Sequence, residues 1–208
     1  GQAEIASTLR TTYDVLDKNS IIPSGLKKAN FKNFTVSNEI DQQARNYALR
    51  LVSHYLHDGK GNALIMGKAG RGKSHLAMAV ASKLNADWKA NKQPKSILFI
   101  NLPALFIKIQ NSFNRKEGMT SNEWLELLKK VDYLILDDLG RSDNAQWKQD
   151  FLYSLLDERE ATIITTNLVG SEMKSLFETG LVSRITKGGR DLYFKYPDTA
   201  EDRRKLPF

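Results

Sequence analysis

Gly67-Lys68-Ala69-Gly70-Arg71-Gly72-Lys73-Ser74 lies between two apolar segments of different kinds. Before it runs Asn62-Ala63-Leu64-Ile65-Met66, a short apolar stretch that suits a buried parallel strand. After it, Leu76, Ala77, Val80, Ala81 and Leu84 recur at helical spacing to about Asn91. The octapeptide matches G-x-x-x-x-G-K-[ST] at every fixed position, in the strand–loop–helix setting where that pattern has a mechanism. Glycines let successive N–H groups turn inward around phosphate oxygens, and the helix N-terminus adds partial positive charge. A chain carrying this unit is constrained to an α/β sheet with a site for a nucleoside triphosphate, ATP or ADP, and Mg²⁺. Lys73 is expected to neutralise the β- and γ-phosphates and Ser74 to hold the metal. His75, in the first turn of the helix, completes the nucleotide-contacting set that begins at Gly67.

Four further apolar runs support the same architecture. They are 96–101, 133–138, 161–167 and 191–196, and helical patterns over 39–57, 105–113, 121–130, 146–158, 172–177 and 181–186 separate them. Strands alternating with helices predict a parallel sheet covered on both faces. Ser121 is the expected cap of the 121–130 helix. Residues 1–37 are polar and weakly periodic. They read as an N-terminal arm with a short helix over Thr8–Asp17, pinned by Phe31, Phe34 and Val36, ahead of one domain over 38–208.

Tyr133-Leu134-Ile135-Leu136 ends in Asp137-Asp138. Two adjacent acids after a buried strand need partners, because desolvated carboxylates are costly. Beside a phosphate loop, Asp137 is the expected magnesium partner and Asp138 the group that polarises the attacking water. Thr165-Thr166-Asn167 ends another apolar run, at the sheet edge where open α/β folds bind ligands. Asn167 suits orientation of that water or a contact with the γ-phosphate, and otherwise a helix cap or turn. Arg184, taken alone, reads as a surface salt bridge, although its planar fork also suits phosphate.

The chain has 208 residues, no cysteine and a net charge of +7. Lack of cysteine excludes disulfides and thiolate metal sites and agrees with a cytoplasmic protein. No apolar run reaches the length of a membrane helix. The basic balance favours phosphate-rich partners. In the stretch between the second and third strands, Phe106, Phe113, Lys108, Arg115 and Lys116 mix aromatic and basic types in the manner of single-stranded DNA sites. Phe106, Ile109 and Phe113 share one helical face and fit a core, which leaves Lys108, Arg115 and Lys116 as the candidate DNA contacts. Asp202-Arg203-Arg204-Lys205 reads first as a terminal tail.

These pieces together resemble AAA+ ATPases, and more narrowly the DnaC/DnaI-type helicase loaders and the related IstB transposition ATPases. The resemblance spans about Ile22 to Arg204. It rests on Phe31-Lys32-Asn33-Phe34, on Gly67 to Ala77 as Walker A, on Leu136-Asp137-Asp138-Leu139-Gly140 as Walker B, on Ile164 to Leu168 as sensor 1 and on Ser183-Arg184-Ile185 as the arginine-finger helix. It implies a five-stranded sheet in the order 5-1-4-3-2, no C-terminal lid, and an Arg184 that acts in trans on a neighbour's nucleotide. It further implies ATP hydrolysis at a self-association interface, with a hexameric replicative helicase and single-stranded DNA as partners. Asn101 either restrains the catalytic acid or caps the next helix. The sequence departs from the pattern at Arg141-Ser142-Asp143, where Asp143 stands one position from the expected acid. The family's N-terminal helicase-binding domain either precedes Gly1 or is absent from a compact, phage-type loader. A transposition ATPase, a small-molecule kinase and a nucleotide-gated module with little hydrolysis are the rival readings.

Overall fold

The computed structural model describes residues 12–115 and 118–204, without the side chains of 114 and 115. Its strands are β1 (Ala63–Met66), β2 (Ile97–Asn101), β3 (Tyr133–Leu139), β4 (Thr162–Thr166) and β5 (Tyr193–Lys195). They form one sheet in the order β2-β3-β4-β1-β5, parallel throughout, which is the expected 5-1-4-3-2 viewed from the other edge. The helices are α1 (residues 12–19), α2 (Glu39–Leu56), α3 (Lys73–Ala90), α4 (Leu102–Arg115), α5 (Ser121–Lys130), α6 (Gln146–Glu158), α7 (Gly170–Leu176) and α8 (Thr179–Ile185). Of the helix expected over Thr8–Asp17, residues 8–11 lie outside the described residues. None of the helices among the described residues is long and apolar enough to cross a membrane.

Side chains alternate across the strands, so both faces are apolar. Ala63, Ile65, Ile97, Phe99, Tyr133, Ile135 and Ile163 face α2, α3 and the N-terminal segment. Leu64, Leu98, Ile100, Leu134, Leu136 and Ile164 face the layer built by α4 to α8. This double cover explains the nearly continuous apolar runs. The N-terminal segment belongs to the first layer. Tyr13, Leu16, Ala29 and Phe34 are buried there and Phe31 packs against it, but Val36 is exposed and pins nothing. Ile21 pairs with the edge of β2, donating to the Phe99 carbonyl (2.9 Å) and accepting from the Asn101 N–H (3.0 Å).

Local chemistry moves several boundaries. The α5 cap is Thr120, one residue before Ser121, in a reciprocal capping box with Glu123. α4 starts at Leu102 rather than 105, because the Asn101 side chain accepts from Ala104 N–H (3.2 Å) and Pro103 has no N–H to leave unmet in the first turn. Residues 190–192 form a 3₁₀ turn, which shortens the fifth strand to three residues.

The brief connection from α6 to β4 is held by Arg159. Its guanidinium is buried and donates to the carbonyls of Leu128 and Val131 (both 2.8 Å), Ala161 (3.0 Å) and Asp132 (3.2 Å), and to the Thr162 hydroxyl (3.0 Å). All five N–H donors of the side chain are thereby used. Burial pulls its pKa to about 10, against the raising influence of Asp132, so the group stays charged at neutral pH. Arg159→Met fills similar space and leaves buried carbonyls unmet. It should cost about 3 kcal/mol in urea denaturation while leaving nucleotide affinity of the folded protein unchanged.

Candidate nucleotide-binding site

The loop leaves the C-terminal end of β1 and enters α3 through Gly67, Gly70 and Gly72, whose φ angles are 150°, 78° and 91°. A Cβ at Gly67 would come within 2.7 Å of Tyr196 Cβ, so glycine is required there by space as well as by φ. Among the described residues, no N–H of 69–72 donates to a protein acceptor. That is the arrangement of an anion cradle. The cleft above it has a volume of about 570 Å³, and Ala69, Gly70, Gly72, Lys73, Ser74, His75, Asp138 and Asn167 line it.

Lys73 is buried, and its ammonium donates to the Lys68 carbonyl (2.8 Å) and to Asn167 Oδ1 (2.7 Å). Burial pulls its pKa to about 8, opposed by the charges of Asp138 and Asp137. An ammonium only donates, so Asn167 must present its oxygen to Lys73, which leaves the amide N–H groups for a ligand.

Asp137 and Asp138 lie near the C-terminal end of β3 at a break in the β3–β4 register, between Leu136 and Leu139. Asp138 takes a left-handed φ of 66°, a conformation that aspartate tolerates better than most residues. The kink turns consecutive side chains out of simple alternation, as bulges do. The Thr165 hydroxyl supports both acids: it donates to Asp137 Oδ1 (2.7 Å) and accepts from the Asp138 N–H (2.9 Å). Burial raises the Asp137 pKa, while hydrogen bonds from Ser74, Thr165 and Asn101 oppose that shift. Asn101 caps α4 with its oxygen, as one reading expected, and its amide reaches Asp137 Oδ2 (3.2 Å), the expected magnesium partner, rather than the catalytic acid Asp138.

The donor set fits a magnesium nucleotide. No cluster of three or more His, Asp or Glu among the described residues could hold a metal by itself. Mg²⁺ asks for less: one or two protein oxygens with phosphate and water completing the octahedron. Ser74 acts on Asp137 to hold its pKa down against burial, so the two side chains are neighbours at the cradle.

Other residues turn out differently. His75 lines the cleft, but its Nε2 is bound to the Asn30 carbonyl (3.0 Å) and its ring meets Phe34 edge-on. Asp143 is buried, accepts from Gly140 N–H (2.9 Å) and closes the turn after β3. Arg203 and Arg204 line the cleft rather than trailing as a tail. Arg203 N–H donates to the Gly70 carbonyl (2.7 Å); its guanidinium pairs with Asp41 (2.6 Å), lies 4.2 Å over the Phe34 ring and donates to the Thr35 carbonyl. Leu26, Asn33 and Thr35 supply another wall. The basic run at 202–205 was the one sequence signal for this contact. The wall from 26–35 had only its aromatic residues to mark it.

Residues 18–185 match the family described as IstB-like ATP binding protein. The chain belongs to this family. It is 28% identical over 187 residues to an uncharacterized protein, YdaV, of Escherichia coli K12, covering 88% of this chain and 71% of that one. It is 26% identical over 167 residues to the replicative helicase loader DnaC of the same strain, covering 78% and 64% respectively, so the match spans under two thirds of DnaC. The crystal structure of DnaI superposes with a TM-score of 0.63 at 25% identity, covering 89% of this chain and 95% of that chain. The fold is that of an AAA+ domain of the DnaC/DnaI type.

Within this IstB-like domain, Arg184 lies away from the cleft. The Asn62 side chain donates to the Arg184 carbonyl (2.8 Å), which fixes the end of α8 at the N-terminal end of β1, while the phosphate loop leaves its C-terminal end. Four residues of strand separate the two by roughly 13 Å. Lys108 is exposed on α4. The Arg115 side chain and all of Lys116 lie outside the described residues. Phe106 and Ile109 are buried as expected, but Phe113 is 61% exposed, one turn beyond Ile109, with its ring edge toward Trp147.

Lys73→Ala removes the buried ammonium of the cradle and should weaken ATP binding by roughly 100-fold in calorimetry. Arg203→Ala should weaken it by about tenfold, because it unfastens the segment that closes over Gly70.

Proposed function

We propose that this chain is an AAA+ ATPase that acts as a DnaC-like helicase loader, with ATP held between neighbouring copies. The observation that carries the reading is the split of the machinery. Lys73, Ser74, Asp137, Asp138 and Asn167 converge on one cleft, whereas Arg184 stands at the far end of β1. A finger so placed can serve another copy's phosphate and not its own.

In this proposal Lys73 neutralises phosphate charge, and Ser74 and Asp137 hold magnesium. The metal, when bound, supplies Lewis-acid polarisation of phosphate oxygens. Asp138, freed by the bulge to face the cleft, accepts hydrogen bonds from the attacking water. The Asn167 amide, its oxygen taken by Lys73, donates towards the same region. Single-stranded DNA contacts start from Lys108 on α4, and Arg115 and Lys116, whose side chains lie outside the described residues, are the further candidates to meet phosphates. The exposed Phe113 joins them as a stacking surface. The likeness to DnaC supports a replicative helicase as the partner, and the family match supports a transposition-type ATPase as the second reading.

Two measurements test this. Arg184→Ala should retain ATP affinity within about twofold and lose at least roughly 100-fold in turnover; normal turnover in this variant refutes a finger in trans. Co-purification with the host replicative helicase should depend on ATP. Capture of a transposase instead of the helicase favours the second reading. Binding to neither, in a chain that includes its native N-terminus, removes the loader assignment.

A further inference from the structure

The side chain of Arg184 is held in a socket built by two helices. Asp157 Oδ1 accepts from its Nε and pairs with its Nη2, both at 2.7 Å. The Gly180 carbonyl accepts from Nη1 (3.1 Å), and the guanidinium carbon lies 3.8 Å over the Tyr153 ring. Tyr153 and Asp157 are four residues apart on α6, as are Gly180 and Arg184 on α8, so each helix presents one face to the socket. A Cβ on Gly180 would stand 3.1 Å from Tyr153 Cε2, and the missing side chain at 180 is what admits the ring.

The socket lies at the surface. The Arg184 side chain is 26% exposed and that of Asp157 52%. An isolated exposed ion pair contributes little stability and would leave a long side chain mobile. Stacking on a ring together with two directed hydrogen bonds and an ion pair is a more restrictive arrangement, and it matches what a planar guanidinium offers. Three of its five N–H donors are engaged, which leaves two for an anion outside the molecule.

We propose that Tyr153 and Asp157 are positioning residues that aim Arg184 at the phosphate of a second copy of this chain, and that α6 and α8 together form the donor side of the subunit interface. This rests on the reading of Arg184 as a finger in trans. The ring supplies a flat stop, the carboxylate fixes rotation about the last side-chain bond, and the arginine is pre-ordered before the neighbour arrives. Such pre-ordering acts on turnover rather than on ATP affinity.

The test separates the two halves of the site between two chains. Full-length Lys73→Ala protein can donate Arg184 but, at an ATP concentration well below its weakened affinity, holds little ATP; full-length Arg184→Ala protein holds ATP but donates no finger. Each alone should be nearly inactive, and mixing them should restore ATP turnover at hybrid interfaces. Asp157→Asn placed in the Lys73→Ala chain should then lower the restored rate by about tenfold. The same change in the Arg184→Ala chain should leave it unaltered. Tyr153→Ala in the donor chain should act like Asp157→Asn, and Tyr153→Phe should retain the rate because the ring and not the hydroxyl makes the stack. Equal loss whichever chain carries Asp157→Asn means general damage and overturns the proposal. An unchanged or increased rate from the donor chain does the same, an increase marking a restraining latch. If the unmodified mixture restores nothing, the finger reading fails and the socket loses its role with it.

Discussion

The site depends on keeping one ammonium and two carboxylates at the dry end of a parallel sheet. None of these groups is stable there alone, and each is placed by a neighbour from another segment of the chain. Thr165 of β4 carries both acids of β3 through a single hydroxyl, Asn101 of β2 steadies the first acid, and Asn167 takes the ammonium of Lys73. The strand order is what brings these contacts together. With β4 between β3 and β1, Thr165 near its end reaches the acids on one side and Asn167 just after it reaches Lys73 on the other. Any shift in the β3–β4 pairing would undo the whole set, and the bulge at Asp138 fixes where that pairing must break.

The elements were legible in the sequence where local signals agreed. Five apolar runs gave five strands in the expected order, and α6 and α5 have the bounds that periodicity suggested. The cradle was legible because glycine spacing, flanking strand and following helix all point one way. What escaped was decided by contacts between distant segments. Nothing near Thr165 says that its hydroxyl serves the Asp137 carboxylate and the Asp138 backbone N–H across the strand gap. Nothing near Arg203 says that its backbone meets Gly70. Phe113 fits the helical period of a core residue, yet α4 runs one turn past the cover that buries Phe106 and Ile109. Arg159, unremarkable in the sequence, uses every donor it has.

The walls of the cleft come from both flanks of the domain. Residues 26–35 and 203–204 close it from opposite ends of the chain, and Arg203 joins them through Phe34, Thr35 and Asp41. These contacts make the N-terminal segment part of the site as well as part of the core. The pairing of Ile21 with β2 anchors the same segment to the sheet edge and covers backbone groups that would otherwise invite another strand.

Arg184 and the phosphate cleft sit at opposite ends of β1, so they are two different surfaces of one molecule. A contact that joins one to the other pairs unlike surfaces, and it can be made head-to-tail. Repetition of that contact gives a closed ring if its rotation divides a full turn, and an open spiral if it does not. In a spiral the first and last copies each keep half a site without a partner. The number of complete sites would then be one fewer than the number of subunits, and an end would always remain open.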